Sequence, residues 1–258
     1  FRQMVKIDLN GTRATITIDD PERRNPLSAE AVDDLVRLTA EANAEPEVRV
    51  IVYTGAGDKA FSAGGDLSSG FFDDPIGLHR GRGRLADLFR MMWEGEKPTV
   101  ARVNGHALAG GFGLAVACDV TICVADARLG TPEIGVGLWP MMITLPLLRA
   151  ISPKALFELM ATGRVVSPEE ALRLGAVSRV VARSQLDEAV DDVVASLARQ
   201  SPATMALGRQ AFSAIAGMSP VAALDFLQTG LTAVTLTDDA QEGLRAFAAK
   251  RDPSWTSR

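Results

Sequence analysis

The sequence predicts an α/β fold with parallel strands, followed by a separate helical layer. Buried apolar runs such as Val48–Thr54 alternate with stretches of helical spacing, and this alternation is typical of parallel strands joined by helices. After Ser201 only helical spacing is found. Hydrophobic residues occupy 47% of the 258 positions, which is enough for a sizeable core. We therefore expect an α/β core over residues 1–200 and a helical region over residues 201–258.

Composition and charge exclude several classes of protein. The 32 acidic and 27 basic residues give a net charge of −5, which argues against nucleic acid as a partner. No apolar stretch reaches about 18 residues, the length that spans a bilayer, and no signal-peptide pattern is found. Cys118 and Cys123 are the only cysteines and lie in an apolar run. We expect free buried thiols, a reducing compartment and hence a cytoplasmic location.

The first part of the chain predicts a hairpin and a capped helix. Asn10-Gly11 separates two runs that alternate apolar and polar residues, and this dipeptide is a strong hairpin signal. Ser28 is a favourable N-cap, and apolar residues follow it at helical spacing. The elements expected here are strands at Met4–Leu9, Thr12–Ile18 and Val48–Thr54, a loop at Phe61–Leu67, and helices after Ser28 and at Leu78–Trp93.

The alternation of strand and helix patterns continues up to Ser201. Pro98–Asn104 and Val116–Ala125 are short apolar runs and are expected to form buried strands. The remaining elements expected are a strand at Ala176–Ala182, an extended segment at Leu129–Val136, and helices near Ile143–Ala150, Lys154–Ala161, Pro168–Leu174, Gln185–Arg199, Ala203–Ala216, Pro220–Leu236 and Ala240–Lys250.

The segment Asn104–Gly113, NGHALAGGFG, leads from an apolar run into a small-residue helix. Gly110 and Gly111 lie at this junction, where glycine allows the backbone to approach a ligand closely. The first amides of a helix have no partner within it and carry a partial positive charge. Such amides suit an oxyanion, for example an enolate forming on a thioester carbonyl. Close packing of strand and helix is the alternative explanation for the glycines.

Two further segments carry candidate chemistry. Glu133 lies between short apolar segments and a turn with proline, where a desolvated carboxylate would have a raised pKa suited to acid–base catalysis. A capping or ion-paired glutamate is the alternative. The loop Phe61–Leu67, FSAGGDL, could bind a carbonyl oxygen or a purine edge through its amides, or it could be a surface turn closed by Asp66.

Other kinds of site are poorly supported. Gly55–Ala60 fits a dinucleotide-binding pattern, but it runs into Phe61 and a second glycine pair instead of opening a helix. His79 and His106 have no cysteine or acid at metal-ligand spacing, so we predict no metal site. No G-x-S-x-G elbow is found, which argues against a serine triad.

Taken together, five segments resemble the crotonase family, also called the enoyl-CoA hydratase/isomerase family. The resemblance covers essentially the whole chain, with the segments in order. They are RRNPLS (Arg23–Ser28), AFSAGGDL (Ala60–Leu67), NGHALAGGFGLAVACD (Asn104–Asp119), GTPEIGVGLWP (Gly130–Pro140) and EGLRAFAAKRDPSW (Glu242–Trp255).

This resemblance implies a crotonase-like spiral of repeated β-β-α units with a C-terminal helical region that forms trimers, commonly paired into hexamers. It also implies an acyl-CoA thioester as substrate and no cofactor beyond the coenzyme A moiety. The amides of Gly65 and Gly110 match the family's oxyanion donors, and Glu133 matches a catalytic glutamate. The positions that match the coenzyme A contacts are Ser62, Ala63, Asp66 and Leu67 for adenine and pantetheine, Arg24 for the phosphates, and Phe247 with Lys250 for the adenine end, often from a neighbouring subunit.

One departure affects the reaction that the resemblance implies. Hydratases of the family typically have a second glutamate where this chain has Gly113, and loss of one acid–base group typically costs about 10²–10⁴ in rate. A single carboxylate still moves a proton between two carbons, so Gly113 favours 3-enoyl to 2-enoyl-CoA isomerisation. The resemblance leaves 2-enoyl-CoA hydration open, since it is the commoner activity of similar chains and some family members with one glutamate also hydrate. The alternative is a catalytically silent protein that binds coenzyme A thioesters or acts as a scaffold; a peptidase would need a nucleophile that Gly110 and Gly111 do not offer.

Overall fold

The computed structural model describes residues 3–66 and 75–256, which form two β-sheets surrounded by helices. The strands are β1 (Val5–Asn10), β2 (Arg13–Ile18), β3 (Val50–Gly55), β4 (Ala60–Ser62), β5 (Thr99–Val103), β6 (His106–Leu108), β7 (Val120–Val124), β8 (Leu129–Gly130), β9 (Val165–Val166) and β10 (Arg179–Val181). The helices are α1 (Ala29–Ala44), α2 (Pro75–Glu94), α3 (Gly110–Ala117), α4 (Met141–Ala150), α5 (Pro153–Thr162), α6 (Pro168–Leu174), α7 (Leu186–Ala198), α8 (Pro202–Ala214), α9 (Pro220–Thr235) and α10 (Asp238–Ala249).

The larger sheet has six strands in the order β1-β2-β3-β5-β7-β10. β1 and β2 are antiparallel, with Asn10 opposite Arg13, and Gly11 takes the positive φ of 55° that the tight turn requires. The expected hairpin is therefore confirmed. From β2 to β10 all neighbours are parallel, as the alternation of strand and helix patterns predicts.

The smaller sheet has the order β4-β6-β8-β9. β4, β6 and β8 are parallel, and β9 pairs with β8 in the antiparallel direction. Along the chain β3, β5 and β7 lie in the larger sheet, and each is followed by one strand of the smaller sheet and then by a helix. Each turn of the chain is thus a β-β-α unit. This arrangement puts the ends of β4, β6 and β8 beside each other.

Two buried asparagines hold the chain where it enters β4. The side-chain amide of Asn25 donates to the carbonyls of Ala56 (3.0 Å) and Ala60 (2.8 Å). The side-chain amide of Asn104 donates to the carbonyls of Gly57 (2.8 Å) and Ala60 (3.3 Å). Both asparagines are almost fully buried, where paired polar groups fix the backbone that they contact. The segment that follows β4 therefore starts from a fixed position.

Three expectations about secondary structure are wrong in part. Phe61–Leu67 is not a loop at its start, because Ala60–Ser62 form β4 against β6. Val116–Ala125 is not one strand, because α3 extends to Ala117 and the Asp119 carboxylate accepts the Thr99 amide (2.7 Å) before β7 begins. Leu129–Val136 is extended only over β8, because Pro132 starts a short 3-10 helix, Pro132–Val136, that ends at Gly137.

From Pro202 to Ala249 the chain consists of helices and short connections, as expected. Arg209 of α8 binds this region to the core, since its guanidinium contacts the Asp119 carboxylate (2.8 Å) and the Met92 carbonyl (2.7 Å). The division at residue 200 and the assembly into trimers stay predictions. Large apolar side chains are exposed on α8, α9 and α10 and directly after α9, among them Phe212, Val221, Leu224, Leu231, Leu236, Leu244 and Phe247.

Cys118 and Cys123 are both buried and free, as the sequence predicted. Burial raises the pKa of both thiols above the ordinary value, which makes them poor nucleophiles. In the described ranges, no helix combines the length and the apolar character needed to cross a membrane.

Candidate active site

A cavity of about 600 Å³ brings together Gly65, Gly110 and Glu133. These residues are widely separated in the sequence and come from the segment after β4, the start of α3 and the 3-10 helix after β8. The other described lining residues are mostly apolar and come from the same segments and from α2 and α4: Ala63, Arg82, Leu85, Ala109, Pro132, Val136, Gly137, Leu138, Trp139, Pro140, Met141, Met142 and Ile143. The three residues that the sequence singled out for chemistry therefore share one cavity.

The backbones after β4 and at the start of α3 lie close to each other. A Cβ placed on Gly64 would lie 2.9 Å from the Gly110 nitrogen, and one placed on Gly110 would lie 3.7 Å from the Gly65 nitrogen. The Leu27 amide donates to the Gly64 carbonyl (2.8 Å) and fixes this approach. Within the described ranges, neither the Gly65 nor the Gly110 amide donates to a backbone carbonyl. Two adjacent amides thus remain available at the cavity.

Ala109 orients the Gly110 amide at a cost in backbone strain. Ala109 is the N-cap of α3 and has φ 51° and ψ −129°, a conformation that residues with a Cβ rarely adopt. Its amide donates to the Gly130 carbonyl (2.9 Å), and its carbonyl accepts the Phe112 amide (3.0 Å). The amide and the carbonyl of Ala109 are therefore both held by hydrogen bonds, which keep its backbone in this strained conformation. Strain of about 1–3 kcal/mol is typical of such positions.

Ala109→Gly should therefore raise the free energy of unfolding by about 1 kcal/mol, because the relief of strain exceeds the extra freedom of glycine in the unfolded chain. Ala115→Gly in the same helix is the matched control, and it should lower the free energy of unfolding by about 1 kcal/mol. Denaturant titration of both variants checks the opposite signs. A loss of stability in Ala109→Gly as large as that in Ala115→Gly would contradict the strain.

Glu133 is the only carboxylate among the described lining residues of the cavity. It lies in the first turn of the 3-10 helix Pro132–Val136 and is half-buried. Its Oε2 atom is buried and has no hydrogen-bond partner in the part of the chain that the structure describes. Burial raises the pKa of Glu133, and a hydrogen bond from its own backbone offsets part of that effect. The alternative of an ion-paired or capping glutamate is not what this geometry supports.

The segments predicted to contact coenzyme A lie next to each other. The Ala63 amide donates to the Arg24 carbonyl (2.9 Å), and Ala63 lines the cavity. Asp66 forms an ion pair with Arg23 (2.5 Å), and Arg24 is exposed. Ser62 is fully buried, and its Oγ atom accepts the Gly64 amide (3.1 Å), so its side chain holds the loop.

Phe247 and Lys250 do not line the cavity. Both are exposed, on the last turn of α10 and directly after it, where Lys250 ends the helix with φ 52°. The predicted contribution from a neighbouring subunit stays a prediction for these two residues. Leu67 lies outside the described residues.

Sequence reasoning missed several residues that shape the site. The buried Asn25 and Asn104 hold the chain before β4, and Asn104 was noted only as part of a motif. Arg23, next to the predicted Arg24, is the residue that pairs with Asp66. For Ile143, the apolar run Leu138–Ile143 predicts a wall of the acyl site, and the structure places Ile143 in the wall of the cavity. A buried asparagine between two apolar runs could have indicated a backbone anchor, but nothing in the neighbouring sequence indicates that Ile143 packs against Gly113.

A larger cavity of about 1,100 Å³ lies between the core and the C-terminal helices. Asp119, Arg209 and Trp255 are among its lining residues, whereas Glu133, Gly65 and Gly110 are not. Asp119 and Arg209 contact each other there. Its polar groups connect the two regions of the fold, and the candidate chemistry lies in the smaller cavity.

Comparison with known proteins agrees with this geometry. The family model described as enoyl-CoA hydratase/isomerase matches residues 9–258. The chain belongs to this family. It is 37% identical to a provisionally named enoyl-CoA hydratase of Thermus thermophilus over 255 residues, which cover 97% of this chain and 99% of that protein. It is 34% identical to the carnitinyl-CoA dehydratase of Salmonella typhimurium over 256 residues, 96% of this chain and 97% of the relative.

The crystal structure of an enoyl-CoA hydratase from Bacillus anthracis matches this family member with a TM-score of 0.94 at 29% identity. The match covers 99% of this chain and 100% of the other. Together with the β-β-α turns of the two sheets, it confirms the crotonase-like fold that the sequence motifs predicted.

Proposed function

We propose that this enzyme stabilises an enolate of an acyl-CoA thioester, with Glu133 as the general acid and base. The observation that carries the proposal is the unpartnered Oε2 atom of Glu133 in the same cavity as the Gly65 and Gly110 amides. A carboxylate without a partner is free to accept a substrate proton, and the pKa that burial raises makes Glu133 a stronger base than an exposed glutamate. Adjacent amides fixed by backbone contacts suit the developing negative charge on the thioester oxygen.

The proposed reaction is the isomerisation of a 3-enoyl-CoA to a 2-enoyl-CoA. Glu133 removes a proton from the carbon next to the thioester carbonyl, and the electron pair is delocalised onto the oxygen held by the Gly65 and Gly110 amides. The enolate then collapses, the double bond moves from C3–C4 to C2–C3, and Glu133 returns its proton to C4. No group enters or leaves, so one carboxylate is sufficient.

Hydration of a 2-enoyl-CoA is the second candidate. The relatives named a hydratase and a dehydratase favour it, since both names describe the addition or removal of water. Hydration needs a group that holds water beside the β-carbon. Besides Glu133, the titratable lining group in the described chain is Arg82, which is exposed. The mostly apolar lining therefore supports isomerisation better.

Coenzyme A would bind along the segments with Arg24, Ala63 and Asp66, since the Ala63 amide donates to the Arg24 carbonyl and Asp66 forms an ion pair with Arg23. The exposed apolar side chains of the C-terminal helices support a homotrimer or a hexamer. Light scattering in solution tests the assembly directly, and three or six copies per particle are expected.

A paired assay tests the reaction. The protein is supplied with short trans-2-enoyl-CoA and trans-3-enoyl-CoA, while the absorbance of the conjugated enoyl group and the product masses are followed. Gain of conjugation from the 3-enoyl substrate without a change in mass is expected. Loss of conjugation and a mass gain of one water from the 2-enoyl substrate would establish hydration instead. Binding of both thioesters without turnover would favour the alternative of a catalytically silent protein that binds coenzyme A thioesters.

A further inference from the structure

Gly113 does not face open space. A Cβ placed on Gly113 would lie 2.0 Å from Cγ2 and 2.4 Å from Cβ of Ile143, far inside van der Waals contact. Because Ile143 Cβ is attached directly to the backbone of α4, a side chain at position 113 would require this helix to move. Gly113 therefore allows α3 and α4 to pack at close range, and Ile143 occupies the volume that a side chain at position 113 would need.

Ile143 also forms part of the wall of the cavity that holds Glu133. Its side chain is almost fully buried, with 2% of its surface exposed. Its neighbours in the wall are apolar as well, among them Leu85, Trp139 and Met142. The same residue thus fills the position next to Gly113 and forms an apolar part of the cavity wall.

We propose that Ile143 is a specificity-determining residue that excludes water from the reacting carbons. The proposal rests on the function proposed above and deepens it. A water molecule held in a cavity needs two to four polar partners, and neither Gly113 nor Ile143 has a polar side chain to offer one. We therefore expect the substrate to be an acyl-CoA with an apolar chain at C3 and C4. The enzyme would shift a proton in this substrate and add no water to it.

The matched variants Ile143→Thr and Ile143→Val test this role. Both remove one heavy atom from the side chain and have nearly the same shape, and they differ in whether the branch at Cβ carries a hydroxyl or a methyl group. The readout is the ratio of hydrated to isomerised product from one enoyl-CoA, measured by product mass. We expect this ratio in Ile143→Thr to exceed that in Ile143→Val by at least about tenfold, the lower end of the discrimination that a single contact gives.

The packing is tested without any assay of activity. Gly113→Ala should lower the melting temperature by several degrees, at about 2–4 °C for each kcal/mol in a chain of this size. Gly208→Ala is the matched control, because a Cβ on Gly208 of α8 meets no atom within 4 Å, and it should not lower the melting temperature. Equal effects of the two substitutions would overturn the contact between Gly113 and Ile143.

The two proposals fail in different ways. If the unchanged protein converts neither enoyl-CoA, the proposed function falls, and the role of Ile143 falls with it. If the unchanged protein is active and Ile143→Thr gives the same product ratio as Ile143→Val, the proposed function stands and the role of Ile143 is overturned. A tenfold or larger difference supports both.

Discussion

Glu133→Gln should abolish the turnover of enoyl-CoA thioesters, with kcat lower by at least about 10²–10⁴-fold, the usual contribution of a positioned acid–base group. The amide of glutamine has nearly the same shape as the carboxylate but cannot accept the substrate proton. KM for the thioester should change little, because the Gly65 and Gly110 amides are untouched. Steady-state kinetics with the better of the two enoyl-CoA substrates measures both constants.

The matched control is Glu47→Gln, since Glu47 is exposed and outside the described lining of the cavity. It should leave kcat and KM at the values of the unchanged protein. Retention of more than about a tenth of kcat in Glu133→Gln would rule out a mechanism with Glu133 as the single base.

The same substitution should stabilise the fold at neutral pH. The folded state raises the pKa of Glu133 above its ordinary value, so the folded protein binds this proton more tightly than the unfolded chain does. The resulting stabilisation is complete below the ordinary carboxyl range and is lost as the pH rises through the raised pKa. The melting temperature of Glu133→Gln should therefore exceed that of the unchanged protein at pH 7, and the difference should shrink towards pH 4.

Gly65→Pro should lower kcat by about 10²–10³-fold, the typical cost of losing one oxyanion donor. Proline removes the N–H group of residue 65, whereas the carbonyl of Gly64 can still accept the Leu27 amide. The Gly110 amide remains, so activity should be reduced rather than lost. Kinetics with the same enoyl-CoA substrate measures the change.

Gly65→Ala provides the comparison for this variant. A Cβ on Gly65 would meet no atom within 4 Å, and alanine retains the N–H group, so the alanine variant should be about 10²–10³-fold faster than the proline variant. Melting curves of the two variants show whether both remain folded. Equal kcat in two folded variants would exclude the Gly65 amide as a donor.

The sequence predicted the longer elements of the fold because their periodicity is local. The helix that Ser28 caps begins where the N-cap signal places it, and the Asn10-Gly11 turn is a hairpin. β4 was missed because three residues carry no periodicity, and it exists only through its pairing with β6. The boundary between α3 and β7 was missed because both are apolar, and the contact between Asp119 and Thr99 that separates them is tertiary.

The candidate site could be predicted only in part for the same reason. The resemblance to a family supplied Gly65, Gly110 and Glu133, and the structure places all three at one cavity. The strain at Ala109 and the contact between Gly113 and Ile143 depend on how separate segments approach each other. The neighbouring sequence therefore predicts neither the strain nor the contact.

The two proposed oxyanion donors, the amides of Gly65 and Gly110, belong to the peptide backbone and lie where the segment after β4 approaches the start of α3. A Cβ on Gly111 would lie 2.4 Å from the Ser62 carbonyl oxygen, so any side chain at position 111 would clash with the backbone of β4. Most side chains of the wall, by contrast, come from α2, α4 and the segment before α4. Selection can therefore exchange wall residues one at a time without removing either N–H group. Random libraries at Leu85, Met142 and Ile143 should yield new acyl preferences and products while activation of the thioester persists.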